Sequence, residues 1–228
     1  MRLASTPVVE LQRQLRDEVR QHYPAGRIVL GVDGIDGAGK TTFADGFAEV
    51  FAEADVAVFR ASLDDFLRPR AERYAHGRDS AVGFYRDTYD IPTFRRVLLD
   101  PFRDGARTSG ATGFQLAAFD HRRDAPLEAR WTTGPADAVL IVDGMFLQSP
   151  ETQGIWNWTV WLEAPFAVAY ARVSERDGTD PDPDAPANAR YRGGQELYLR
   201  EARPSAAASA IVDNTDPARP LRAYRDFC

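Results

Sequence analysis

The run Gly34-Ile-Asp36-Gly37-Ala38-Gly39-Lys40-Thr41, followed by Thr42, fits the spacing G-x-x-x-x-G-K-[ST]. Glycines in such a loop let the backbone turn its N–H groups inward around phosphate oxygens, and a helix start adds favourable partial charge. Lys40 is expected to reach the β- and γ-phosphates of a nucleotide, and the Thr41 hydroxyl to bind Mg²⁺. Basic-residue usage sharpens this reading. Of the 28 basic residues 27 are arginine, and Lys40 is the one lysine. Lys40 therefore marks a place that takes a compact ammonium and not a planar guanidinium fork.

Acids stand at the ends of two other apolar runs. Asp143 closes Val139-Leu-Ile-Val142 and precedes Gly144, a place suited to the second Mg²⁺-side group. Asp64 and Asp65 follow a second apolar run ending near Ser62. A carboxylate there can accept the proton of a hydroxyl that attacks the γ-phosphate, and Asp64 is also a candidate on the metal side.

These groups need elements to position them. Residues 6–23 repeat Val8, Leu11, Leu15 and Val19 at helical spacing, opened by Thr6 and Pro7. Apolar runs at 27–32, 54–61, 138–143, 156–162 and 210–213 read as buried strands. Helices are expected over 40–52, 92–99, 165–177 and 190–202. Residues 67–90 read as a functional loop region and 105–131 as a small inserted hairpin. The Pro/Asp-rich segment 178–188 reads as mobile. Strands alternating with helices imply an α/β fold with a parallel sheet and right-handed crossovers, in a single domain over 1–228.

Composition excludes several classes. A formal net charge of −6 argues against nucleic acid or an anionic membrane as partner. No stretch approaches the roughly 20 apolar residues that span a bilayer. The N-terminal residues are charged early, and the single cysteine, Cys228, excludes an internal disulfide. A cytoplasmic location is the simplest expectation. Guanine recognition through N-K-x-D needs a second lysine, which the chain lacks. Small-molecule kinases and ATP-driven switches remain.

The segments Gly34–Thr42, Ser62-Leu-Asp64-Asp65-Phe66-Leu67, Tyr89-Asp90-Ile-Pro92 and Val142-Asp143-Gly144 resemble, in order and spacing, the uridine kinase-like family. That family belongs to a wider group with pantothenate kinase and phosphoribulokinase, and the similarity spans about residues 27–215. It implies a five-stranded parallel sheet with helices on both faces, a hairpin insertion within about 67–131 and a lid at about 177–192. It also implies ATP as donor, Mg²⁺, a small-molecule acceptor and a homo-oligomer. By resemblance Asp64 is the catalytic base, Asp143 the Mg²⁺-side acid, Asp90 the holder of sugar hydroxyls and Arg176 a lid arginine on the transferring phosphate. The family's ribose-contacting arginine falls nearest Val173, with Arg172 beside it, and Arg190 and Arg192 are further lid candidates. Family members read a base with an aromatic residue and a histidine, and Phe119-Asp120-His121 stands in that region. Tyr85 and Tyr89 either stack on a flat base or close the loop over the core. Arg68, Arg70, Arg73 and Arg78 would suit an anionic acceptor, or they pair with local acids. The leading expectation is a kinase of a nucleoside such as uridine or cytidine. An anionic acceptor and a non-kinase ATP switch are the alternatives.

Overall fold

The computed structural model describes residues 2–105 and 112–224. Cys228 and part of the region expected to form a hairpin, 105–131, lie outside the described residues. Helix α1 (Pro7–His22) starts where Thr6 accepts a hydrogen bond from the Val9 N–H at 3.3 Å. Strand β1 (Arg27–Gly34) leads into α2 (Lys40–Glu53), and β2 (Val58–Ser62) ends in a 3₁₀ turn, Leu63–Phe66. Short helices α3 (Arg70–Arg73), α4 (Ala81–Arg86) and α5 (Ile91–Phe94) follow. A π-helical turn, Arg95–Leu99, continues into α6 (Asp100–Asp104). The hairpin consists of β3 (Phe119–Asp120) and β4 (Ala125–Pro126). Then come β5 (Ala138–Gly144), β6 (Trp158–Glu163), α7 (Phe166–Asp177), α8 (Ala189–Ala202), α9 (Pro204–Ala207), β7 (Ala210–Asp213) and β8 (Leu221–Ala223).

The main sheet runs β2-β5-β1-β6-β7-β8. Its first five strands are parallel, as the alternating pattern requires, and β8 adds an antiparallel sixth on β7. The five expected parallel strands are present, and β8 is an addition that the sequence pattern does not reveal, because three residues, Leu221–Ala223, are too few to show a period. The second strand is also shorter than expected. Asp55 turns into the left-handed region (φ 58°) and the Val56 N–H returns to Phe51 O, so 54–57 belong to the exit of α2. The helix expected at 92–99 begins at Ile91 and passes through its π turn to Asp104. The segment 178–188 is organised around buried Asn188, whose side-chain amide donates to Asp180 O (2.9 Å) and Asp182 O (2.7 Å).

Continuous apolar runs become the central strands because helices cover both faces. β5 is buried along its whole length. On one face Phe43, Phe47 and Phe51 of α2, spaced four apart, lie against the sheet, with Phe47 near Trp158 (6.4 Å between ring centres). Each such ring contributes roughly 1.5–3 kcal/mol by leaving water. On the other face Phe59, Phe102 and Phe114 meet edge to face. Register then sets the working end of the sheet. Asp143 pairs with Val32 of β1 and with Ser62 of β2, so the carboxyl ends of β1, β2 and β5 open on one crevice. Among the described residues no helix is long and apolar enough to cross a membrane.

Candidate active site

The phosphate loop is shaped by contacts from α7, from Asn214 after β7 and from α8. Gly37 (φ +76°) lies so close to α7 that a Cβ there would sit 2.2 Å from Ala169 O. At Gly39 (φ +89°) a Cβ would meet the Asn214 side-chain nitrogen at 2.7 Å. That Asn214 amide donates to Ala38 O (2.7 Å), and Arg172 donates to Gly37 O (3.3 Å). From the other side Gln195 of α8 accepts from the Asp36 N–H at 2.7 Å. Tyr198, one turn on, donates its hydroxyl to Asp33 at the end of β1. Gly39 supplies no capping side chain to α2, which leaves first-turn N–H groups for an anion.

A cleft of about 440 Å³ opens over this loop, lined by Asp36, Gly37, Gly39, Lys40, Thr41, Thr42, Asp64, Asp143, Arg172, Val173 and Arg176. Lys40 Nζ donates to Ile35 O (2.8 Å), folding the ammonium back across the loop. Thr41 donates its hydroxyl to Asp143 Oδ2 (2.6 Å), while Arg60 pairs with Asp143 Oδ1 at 3.0 Å. Asp143 is buried, so the Arg60 guanidinium is what offsets its charge. Arg60 escaped the sequence reading: it lies inside a strand, and only the register with β5 shows its role. The oxygens of Thr41, Asp143 and Asp64 suit a hard cation, and these residues would hold Mg²⁺. Among the described residues no three His, Cys, Asp or Glu groups converge.

Asp64 sits in the 3₁₀ turn and accepts a 2.9 Å hydrogen bond from the Tyr89 hydroxyl. Solvent reaches it through the cleft mouth, yet protein walls surround the carboxyl on its other sides. That desolvation pushes its pKa up, against the pull of the Tyr89 bond and the Lys40 charge. Tyr89 is buried and its own pKa is pushed well up, first by burial and then by Asp64. It therefore positions Asp64 and does not stack on a ligand. Neighbouring Asp65 is also raised, by desolvation and then by the Asp64 charge.

Other expected site residues lie elsewhere. Tyr85 is buried against Phe146 and Tyr198, with a hydroxyl that has no partner among the described residues, so it faces the core. Arg172 does line the cleft, but its guanidinium is spent on backbone: besides Gly37 O it donates to Asn214 O (3.0 Å) and Thr215 O (2.8 Å). Arg190 is buried away from the cleft, 4.6 Å over the Tyr74 ring, and donates to Arg78 O and Arg73 O. Arg192 lies 3.8 Å over Phe166 and bonds Glu196, so it too is outside the cleft. Of the three lid candidates only Arg176 lines the cleft. It pairs with Asp177 (2.7 Å) and Asp36 (3.5 Å), which push its pKa up. His121 is exposed on the hairpin and lines no described cavity, although its charge pulls the Asp65 pKa down.

A second cavity, about 390 Å³, lies on the other side of the Leu63–Phe66 turn. Asp90 lines it with Thr93, Arg96, Glu72 and Gln115, among Phe66, Leu67, Val97 and Phe119. One Asp90 oxygen caps α5 by accepting from the Thr93 N–H (3.0 Å). The four clustered arginines do not line this cavity. Arg68 donates to Tyr89 O (3.1 Å), and Arg73 donates to Arg68 O (2.8 Å) and pairs with Asp124 of the hairpin (3.5 Å). Arg78 lies 5.7 Å over Tyr74.

No model of a known family matches the chain, and no curated protein sequence does. Solved structures do match. A possible uridine kinase from Bacillus stearothermophilus is 23% identical, covering 87% of this chain and 98% of its own, at a TM-score of 0.61. A candidate fructose transport system kinase from a Silicibacter species is 24% identical over 90% of this chain and 96% of its own, at 0.62. D-glycerate 3-kinase from Cryptococcus neoformans is 11% identical over 88% of this chain and 90% of its own, at 0.56. The fold is one shared with P-loop kinases. In this P-loop fold the strand ends that carry Asp64 and Asp143 flank the phosphate loop, and the second cavity adjoins them across one turn.

Proposed function

We propose that the protein is an ATP-dependent, uridine kinase-like phosphotransferase acting on a hydroxyl of an uncharged small molecule, a nucleoside such as uridine or cytidine. The observation that carries this is the placement of Asp64. It stands at the wall of the phosphate cleft, held by Tyr89, on the turn whose other end, Phe66, lines the cavity bearing Asp90.

In this reading Asp90 accepts hydrogen bonds from acceptor hydroxyls with its uncapped oxygen. Asp64 takes the proton of the attacking hydroxyl as its oxygen bonds to the γ-phosphorus and ADP departs with the broken bond's electrons. A base whose pKa is pushed up by desolvation holds the transferred proton better than an ordinary aspartate does. Lys40 and the α2 N-terminus neutralise the donor phosphates, and Arg176 faces the same cleft. Thr41 and Asp143 would hold Mg²⁺, which would supply further charge neutralisation for the donor phosphates. An uncharged acceptor is favoured over an anionic one because Arg68 and Arg73 are committed to backbone and Asp124.

The test is ADP formation by purified protein with ATP and Mg²⁺ against uridine, cytidine, other nucleosides, pantothenate and ribulose 5-phosphate. Stimulation by a nucleoside, lost in Asp64→Asn with ATP binding kept, is the expected result. Stimulation only by an anionic acceptor refutes the substrate reading. Slow hydrolysis indifferent to every acceptor refutes the kinase reading.

A further inference from the structure

Gln115 is 7% exposed and lines the second cavity, and among the described residues its amide makes no hydrogen bond and is not one of the fully enclosed polar groups. An accessible amide with no protein partner on a cavity wall is free to pair with a group inside the cavity. Its backbone is held on both sides. Phe114 and Thr132 exchange two hydrogen bonds of 2.9 Å, Gln115 N donates to Val97 O at 2.8 Å, and Ala118 N donates to Asp65 O at 3.0 Å. The amide is thus carried on a fixed stretch rather than a free loop. The cavity's other polar groups differ in kind: Asp90 is a carboxylate suited to hydroxyls, while Arg96 and Glu72 are exposed.

We propose that Gln115 is a specificity-determining residue for the acceptor, its amide pairing with the lactam edge of a flat heterocycle. The inference rests on the second cavity being the acceptor pocket. An amide offers one donor and one acceptor side by side, the complement of a ring N–H next to a carbonyl. Phe66, Phe119 and Val97 supply apolar walls for the faces of such a ring, with Asp90 left for hydroxyls. A carboxylate at position 115 would offer acceptors only and would repel the ring carbonyl.

The experiment is calorimetric titration of uridine and of 3-methyluridine, which lacks the lactam N–H, into the full chain with Mg²⁺ and ADP. Wild type, Gln115→Leu and Gln115→Glu are compared, with ADP formation followed in parallel. Wild type should prefer uridine over 3-methyluridine by about tenfold, the worth of one good neutral hydrogen bond. Gln115→Leu should weaken uridine by about that factor and erase the preference, while leaving the KM for ATP unchanged. Gln115→Glu should weaken uridine further. A general packing defect would weaken both ligands equally, so a preserved preference in Gln115→Leu overturns the proposal. Absence of uridine binding to wild type overturns it as well. Uridine binding with the expected preference but no transfer would refute the kinase reading and leave the role of Gln115 standing.

Discussion

Asp33 offers a test of how this fold tolerates a charge behind its phosphate loop. The carboxyl is fully buried at the end of β1, accepting from the Tyr198 hydroxyl and from the Gly34 N–H at 2.8 Å. Burial pushes its pKa from 3.8 to about 7, outweighing the pull of Tyr198, Gly34 and the Lys40 charge. The fold therefore favours the protonated form. The resulting stabilisation is complete below pH 3.8 and is lost as pH rises through about 7. At about 1.4 kcal/mol per pH unit that span amounts to about 4 kcal/mol, a ceiling that water entry and local relaxation would lower. Asn at this position cannot ionise and has nearly the same volume, and its one oxygen serves either Tyr198 or Gly34, a fixed cost at every pH that leaves the pH-dependent part of the difference intact. Asp33→Asn should therefore gain on wild type by up to that amount between pH 4 and pH 8. The gain should narrow as pH falls toward 4. Urea unfolding followed by tryptophan fluorescence from pH 4.5 to 8 measures it, with m-values checked for constancy. A difference that does not change with pH would show that the carboxyl titrates normally and refute the reasoning.

Three further outcomes follow from the cleft. Tyr89→Phe removes the hydrogen bond that lowers the Asp64 pKa, so the acidic limb of the pH–rate profile should move to higher pH while the KM for ATP stays put; an unmoved limb contradicts the positioning role. Lys40→Arg should cost at least about 100-fold in turnover although the charge is kept, because the guanidinium fork cannot repeat the single-point contact; full activity refutes the reading of the lone lysine. Asp143→Asn should raise the Mg²⁺ concentration for half-maximal activity and leave Arg60 facing a neutral amide, and an unchanged Mg²⁺ titration would remove Asp143 from the metal side.

What the sequence made legible was whatever depends on neighbours in the chain. The loop from Gly34 to Thr42 and the helix after it are local, as are the buried runs of β1 and β5 and the acids that end β2 and β5. Groups that act by meeting across the fold were hidden. Tyr198 reaches Asp33 from 165 residues away and Asn214 reaches Ala38 from 176. Tyr85 and Tyr89 illustrate the limit most clearly. Both stood in the right region with rings suited to stacking, yet one hydroxyl is turned into the core and the other is spent on Asp64. Arginine type was equally silent about partners: Arg73 is held by Asp124 of the hairpin, and Arg190 by carbonyls of 73 and 78.

These hidden contacts share a purpose. Gln195 and Tyr198 are one turn apart on α8, so they share a face, and that face holds Asp36 and Asp33 on either side of Gly34. From the opposite side Asn214 and Arg172 occupy the carbonyls of Ala38 and Gly37. Loop carbonyls that would repel a phosphate are thus paired with protein donors, and the glycines are fixed at left-handed angles before any ligand arrives. In the proposed reading a nucleotide would meet an ordered cradle and would not bear the entropy of arranging it. Position 40 is consequently the end of a fixed geometry rather than a flexible tether. That is the physical reason a chain so rich in arginine would keep a lysine there.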